Sequence, residues 1–219
     1  MSMVPFYVPK GRSGYGYGHG EFLDGVVKDG LWDSFDNHHM GICAEKCASD
    51  YNISREDQDA HAIQSCKRAL DANQKGLFKH EIAPVEIKDK KGNVTVVSED
   101  EGLKKIRLDK IPTLKPAFKK DGTVTAANAS SLNDGAAALV LVDESTLKAL
   151  DLNPLARILG FDDAGKAPIE FTTAPALAIE RLVKKHNKSL EDVDYFEINE
   201  AFSVVARANE KVNWLTLFV

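Results

Sequence analysis

A run of consecutive apolar residues, Ala136-Ala137-Ala138-Leu139-Val140-Leu141-Val142, constrains this chain more than any other feature. Without a polar interruption, such a run suits a strand buried on both faces. The pattern after it alternates. Leu155–Gly160 is a second strand candidate, and residues 176–186 place Leu177, Ile179, Leu182 and Val183 on one helical face. Ser189-Leu190-Glu191-Asp192 then turns the chain into a third strand, Tyr195–Ile198, and Ala201–Lys211 reads as a helix. Strands alternating with helices predict a βαβ arrangement with a partly parallel sheet, hence an α/β fold.

Upstream the texture differs. Ser54 with Asp57 three residues later opens a helix in the manner of a capping box, and Gly76 closes it. His39 to Asn52 also reads as helical. Ile82–Ile87 and Val94–Val97, joined by Lys90-Lys91-Gly92-Asn93, read as a hairpin. The glycines among residues 1–20, interleaved with Tyr15 and Tyr17, indicate loop. We expect a loop-rich module over residues 1–122 and the opening of an α/β layer over 123–219.

Composition excludes several classes. Apolar residues make up 43% and charged residues 28%, as in ordinary globular proteins and unlike collagen, coiled coils or disordered chains. The formal charge of −5 argues against a general nucleic-acid binder. No apolar run is long enough to span a membrane, and the N-terminal residues show no apolar core of a secretory signal. An odd set of three cysteines, Cys43, Cys47 and Cys66, suggests free thiols in a reducing compartment. Together with His38 and His39 they could be read as metal ligands, but no CxxC pair is present and a small core thiol is the commoner use. Nothing local marks any of the three as a nucleophile.

Three segments carry candidate chemistry. Between Lys104 and Lys120 seven cations stand against Asp109 alone, a stretch that either meets phosphates or forms a solvated face. Gly122 to Gly135 is rich in small residues, with Asn128, Ser130 and Asn133 as hydrogen-bonding groups; it could admit a ligand close to the backbone or be a tight connection. Asn199-Glu200-Ala201-Phe202 follows a strand and opens a helix, where a polar group can serve a site or simply cap.

Taken together, these pieces resemble the thiolase family, and within it the acetyl-CoA acetyltransferase branch. The resemblance rests on His39-Met40-Gly41 with Ala44-Glu45, on Ser54 to Asp59, and on Gly76-Leu77-Phe78 with Glu81-Ile82 and Pro84-Val85. It continues through Pro116-Ala117-Phe118, Gly122 to Ala126, Asn128 to Ala138, and Asn199-Glu200-Ala201-Phe202, and runs over residues 1–212. It implies a thiolase-like fold fragment, the loop domain plus the first part of the C-terminal half. The reaction implied joins two acetyl-CoA into acetoacetyl-CoA and CoA, or runs in reverse. One cysteine takes the acyl group, a second moves a proton, and two oxyanion holes stabilise developing charge.

By resemblance, Asn199 matches the residue positioning an oxyanion-hole water, and Phe202 a pocket-lining phenylalanine. Ser130 matches a serine bonded to the pantetheine arm. His39 and Met40 match the acyl and pantetheine end, and Phe118 an apolar pantetheine contact. Lys105, Ile106, Arg107 and Lys110 fall where the CoA nucleotide is held. Tyr17, Ala126, Ala127 and Ala129 match a potassium site of some animal mitochondrial members. CoA is expected as substrate and product, not as a resident cofactor.

No residue matches the family's nucleophile, its histidine motif or its second cysteine, so the chain reads as truncated at both ends and inactive alone. The competing readings are a non-catalytic CoA binder or partner of full-length thiolase, and a truncated gene product without a separate role. The apolar tail from Trp214 favours the last, since an uncovered half-sheet would leave an edge exposed. Self-association is expected from the family's dimers and tetramers. The compartment implied is the cytoplasm or the mitochondrial matrix, with no targeting segment in the chain.

Overall fold

The structure, a computed structural model, describes residues 1–213. The tail from Trp214 therefore lies outside the described residues. Strands β1 (Phe6–Tyr7) and β2 (Leu23–Asp24) pair antiparallel, as do β3 (Trp32–Asp33) and β4 (His38–His39). Helix α1 (Met40–Asp50) starts where the His39 Nδ1 accepts the Gly41 N–H at 2.9 Å. It ends as Asn52 enters the left-handed region, with the Ile53 N–H returning to the Ala48 carbonyl. Helix α2 (Arg55–Gln74) has the expected reciprocal cap: Asp57 N–H on Ser54 Oγ and Ser54 N–H on Asp57 Oδ2. Gly76, at φ +66°, follows its end.

The hairpin pairs β5 (Val85–Lys88) with β6 (Val94–Val97), in the register Val85 opposite Val97. Its first strand lies slightly later than expected. The cause is Asp89, whose carboxylate collects the Lys91 and Asn93 N–H groups and so fixes where the turn begins. Short helix α3 (Glu101–Lys105) leads into a 3-10 turn over Leu108–Thr113. Then come α4 (Glu144–Ala149), a second 3-10 segment at Pro168–Thr173, α5 (Ala174–Lys185) and α6 (Ser203–Asn213).

The core lies where α1, α6 and the segment around Val124 meet: Ala44, Cys47, Ala48, Ile53, Val124, Phe202, Val204, Val205 and Ala208. Most are small, so the helices approach closely and any added volume would strain the packing. Buried amides join its parts. Asn209 accepts the Ala176 N–H and donates to the Thr172 and Val205 carbonyls, which ties α6 to α5.

The three strands expected in the second half are not formed among the described residues. Ala136–Val142, Leu155–Gly160 and Tyr195–Ile198 carry no strand pairing, and no parallel pair is present. Val140 is 94% and Leu155 105% exposed. Apolar character prepares a segment for a buried strand, but a strand exists only against a hydrogen-bonding neighbour. These runs find none among residues 1–213.

Candidate functional site

Two distant segments build the site. Residues 128–130 run antiparallel to 201–203, through an isolated bridge between Ala129 and Phe202. The Ser203 N–H bonds to the Asn128 carbonyl at 2.8 Å and the Ser130 N–H to the Ala201 carbonyl at 2.9 Å. Ser130 is thereby set beside Asn199-Glu200-Ala201-Phe202. Asn128, almost fully buried, holds the first segment: its Oδ1 takes the Thr125 N–H, and its Nδ2 donates to Asp59 Oδ1 and the Thr123 carbonyl.

Glu200 holds the second segment. Its carboxylate meets His61 Nε2 at 2.5 Å and accepts from Ser65 Oγ at 3.1 Å. The His61 hydrogen bond holds the Glu200 carboxyl below its ordinary range, against the opposing effect of burial. His61 and Ser65 were not anticipated as site residues. They stand one turn apart on α2, so helical spacing was the available signal.

The wall so formed faces a cleft of about 720 Å³, the size of a small-molecule site. Lys105, Ile106, Arg107 and Lys110 line one side; Ala126, Ala127, Ala129 and Ser130 line the other, with Cys66 and Glu200 also exposed to it. Lys105 pairs with Glu101 at 3.0 Å and Arg107 with Asp109 at 3.4 Å, both at exposed positions. Such surface pairs are weak and screened by salt, so these cations can exchange partners for a phosphate.

At the opposite side of the Ala129–Phe202 bridge an aromatic group gathers. His39 stacks on Phe118 with centroids 4.6 Å apart, and Phe118 meets Phe202 edge-on at 6.2 Å. Met40, half-buried, follows as the first residue of α1. Glycine is required at position 41, since a Cβ there would run into the Phe118 ring. Burial lowers the His39 pKa, so its ring is neutral at pH 7. Because Nδ1 accepts from the Gly41 amide, the proton sits on Nε2, available to donate.

Two anticipated residues stand apart. Asn199 is exposed on the strandless approach to Phe202. Tyr17 is wholly exposed, whereas Ala126, Ala127 and Ala129 belong to the cleft wall. The thiols are not nucleophile-like. Burial pushes all three pKa values up, with further upward contributions from Asp33 at Cys43 and Glu200 at Cys66.

Family models decide the wider context. The model described as thiolase, N-terminal domain matches residues 1–145, and that described as thiolase, C-terminal domain matches 152–216. The chain belongs to the thiolase family. A Dictyostelium discoideum protein named "Probable acetyl-CoA acetyltransferase" is 53% identical over 212 residues, covering 97% of this chain and 51% of the relative. The cytosolic acetyl-CoA acetyltransferase ERG10 of Gibberella zeae is 52% identical over 213 residues, with 97% and 54% covered. Among solved structures, the Acat5 thiolase of Ascaris suum in complex with coenzyme A superposes with a TM-score of 0.88 at 44% identity, covering 96% of this chain and 53% of that one. The chain thus has the thiolase α/β fold and spans about half the length of the relatives it matches. Among the described residues no helix is long and apolar enough to cross a membrane.

Proposed function

We propose that the cleft binds the coenzyme A part of acetyl-CoA, as acetyl-CoA C-acetyltransferases of this family require. The pairing of residues 128–130 with 201–203 carries this reading. It sets Ser130 across the cleft from the cationic segment, and Phe202 of the same pairing meets Phe118 of the aromatic group. Lys105, Arg107 and Lys110 would take the nucleotide phosphates, with Ile106 against the base or ribose. Ser130 would bond the pantetheine arm. Phe118, Phe202, Met40 and His39 would receive its thiol end, and Asn199 would orient the oxyanion-hole water. A potassium ion held by backbone carbonyls of Ala126, Ala127 and Ala129 belongs to the same reading, with Tyr17, exposed in this structure, as a further candidate ligand. A cytosolic or mitochondrial-matrix setting fits it, and the cytosolic fungal relative favours the first.

Calorimetric titration with CoA is the test. Binding is expected, and replacing Lys105, Arg107 and Lys110 together by alanine should weaken it about tenfold or more, with a shallower salt dependence. No heat at millimolar CoA would remove the reading.

A second reading concerns partners. β5 and β6 expose Val85, Ile87, Val94 and Val96, about half of each side chain or more, so both faces of the hairpin are uncovered. We propose that it associates with another copy or with a longer thiolase chain. Light scattering after size exclusion should show oligomers that Val85→Lys with Val96→Lys reduces; a concentration-independent monomer would count against it.

A further inference from the structure

The β3–β4 hairpin carries a second cluster, outside the residues lining the cleft. Its turn brings Asp33, Asp36 and His38 together so that one ligand atom from each lies within 4.8 Å of the others. His38 is oriented by its Nδ1, 3.3 Å from the Asp36 backbone carbonyl. A carbonyl can only accept, so Nδ1 carries a proton and Nε2 is the ring nitrogen turned toward the cluster. That arrangement, one ring nitrogen donating to a backbone carbonyl, is the usual support of a metal-binding imidazole. Nε2 faces Asp33 Oδ2 at 3.6 Å and Cys43 Sγ at 3.3 Å.

Asp33 is decisive. Its side chain is only 9% exposed. Oδ1 accepts the Phe35 N–H at 2.9 Å, but Oδ2 is buried with no hydrogen-bond partner. A buried carboxylate oxygen is costly unless a cation meets it. The imidazole is too far, at 3.6 Å, to supply a normal hydrogen bond. We propose that Asp33, Asp36 and His38 bind one divalent transition-metal ion of the zinc type, with the Cys43 sulfur in reach as a fourth donor. Oxygen, imidazole and sulfur together suit zinc rather than magnesium or calcium. Ligand atoms about 3.3–3.6 Å apart are what tetrahedral bonds of roughly 2.0–2.3 Å require. The spacings around Nε2 already match, and exposed Asp36 has room to close in.

Such an ion would clamp β3 to β4 and so steady His39, the neighbouring residue, on Phe118. The inference does not depend on CoA binding in the cleft.

The test is calorimetric titration of the chelator-stripped 219-residue chain with Zn²⁺, and with Mg²⁺ as comparison. One Zn²⁺ per chain is expected, with His38→Gln and Asp36→Ala each weakening it about tenfold or more. Circular dichroism checks that the variants fold; Asp36 is exposed, so its variant decides the matter even where His38→Gln does not fold. No Zn²⁺ uptake, affinity unchanged in Asp36→Ala, or Mg²⁺ binding as tightly as Zn²⁺ would each overturn the proposal.

Discussion

Glu45→Ala is expected to lower unfolding stability by about 3 kcal/mol, a large fraction of what a domain holds. Glu45 projects from α1 and is 8% exposed. Its carboxylate accepts the Thr123 N–H through both oxygens at 3.0 and 2.9 Å, the Thr123 hydroxyl at 3.0 Å and the Val124 N–H at 2.9 Å. Hydrogen bonds to a charged acceptor contribute about 1.5–3 kcal/mol each, and removing the acceptor leaves the Val124 amide buried and unpaired. Nothing nearby can replace it, because Gly122 packs against the same side chain so closely that a Cβ there would collide with it. The damage would reach the cleft: Thr123 also gives its carbonyl to Asn128, which holds the Ala129–Phe202 pairing. Urea unfolding measures the effect. Glu45→Gln should fall between, since its amide nitrogen would oppose an N–H donor. A midpoint unchanged within error in Glu45→Ala would refute this account of the loop.

Glu45 also shows which parts of the molecule are legible in sequence. The helices are, because their signals are local. Ser54, Asp57 and Gly76 sit within a turn of the events they control, and α2 begins and ends beside them. β6 is found where Val94–Val97 predicts it, while β5 shifts because Asp89 organises the turn through its side chain. The strands after Gly135 fail for the opposite reason. Their sequence suits burial on both faces, but a strand also needs a hydrogen-bonding neighbour, and these runs have none among the described residues. The relatives are about twice as long, and the chain as a whole superposes on one of them with a TM-score of 0.88.

The site divides in the same way. Motif residues such as Ser130, Phe118 and Phe202 are readable from resemblance. The contacts that position them join residues far apart, as His61 joins Glu200 and Glu45 joins Thr123. No periodicity reports such a meeting. The Asp33 carboxylate is hidden in the same manner: His38 can be picked out by residue type, but only the turn of a hairpin brings two aspartates to it.

The 219-residue chain is expected to show no thiolysis of acetoacetyl-CoA above the enzyme-free rate, while still binding CoA. Acyl transfer through cysteine needs a thiolate, and the chain has three cysteines to supply one. Cys43 is 1% and Cys47 3% exposed, and desolvation raises both thiols above their ordinary value. Cys66 alone reaches the cleft. It too is raised by burial, and the Glu200 carboxylate opposes a second negative charge beside it. The adjacent imidazole, His61, is engaged with Glu200. Cys43 does lie 3.3 Å from His38 Nε2, but it is buried and does not line the cleft, so the one thiol that lines the cleft, Cys66, has no free base beside it. Enzymes of ordinary efficiency accelerate their reactions by at least about a millionfold, so without a reactive thiol nearly all of the effect is expected to be absent. The assay must be read with the CoA titration. Binding without turnover is the expected pair. Turnover that disappears in Cys66→Ser would show that the cleft lowers this thiol's pKa after all, and would overturn the assignment of the three cysteines as unreactive.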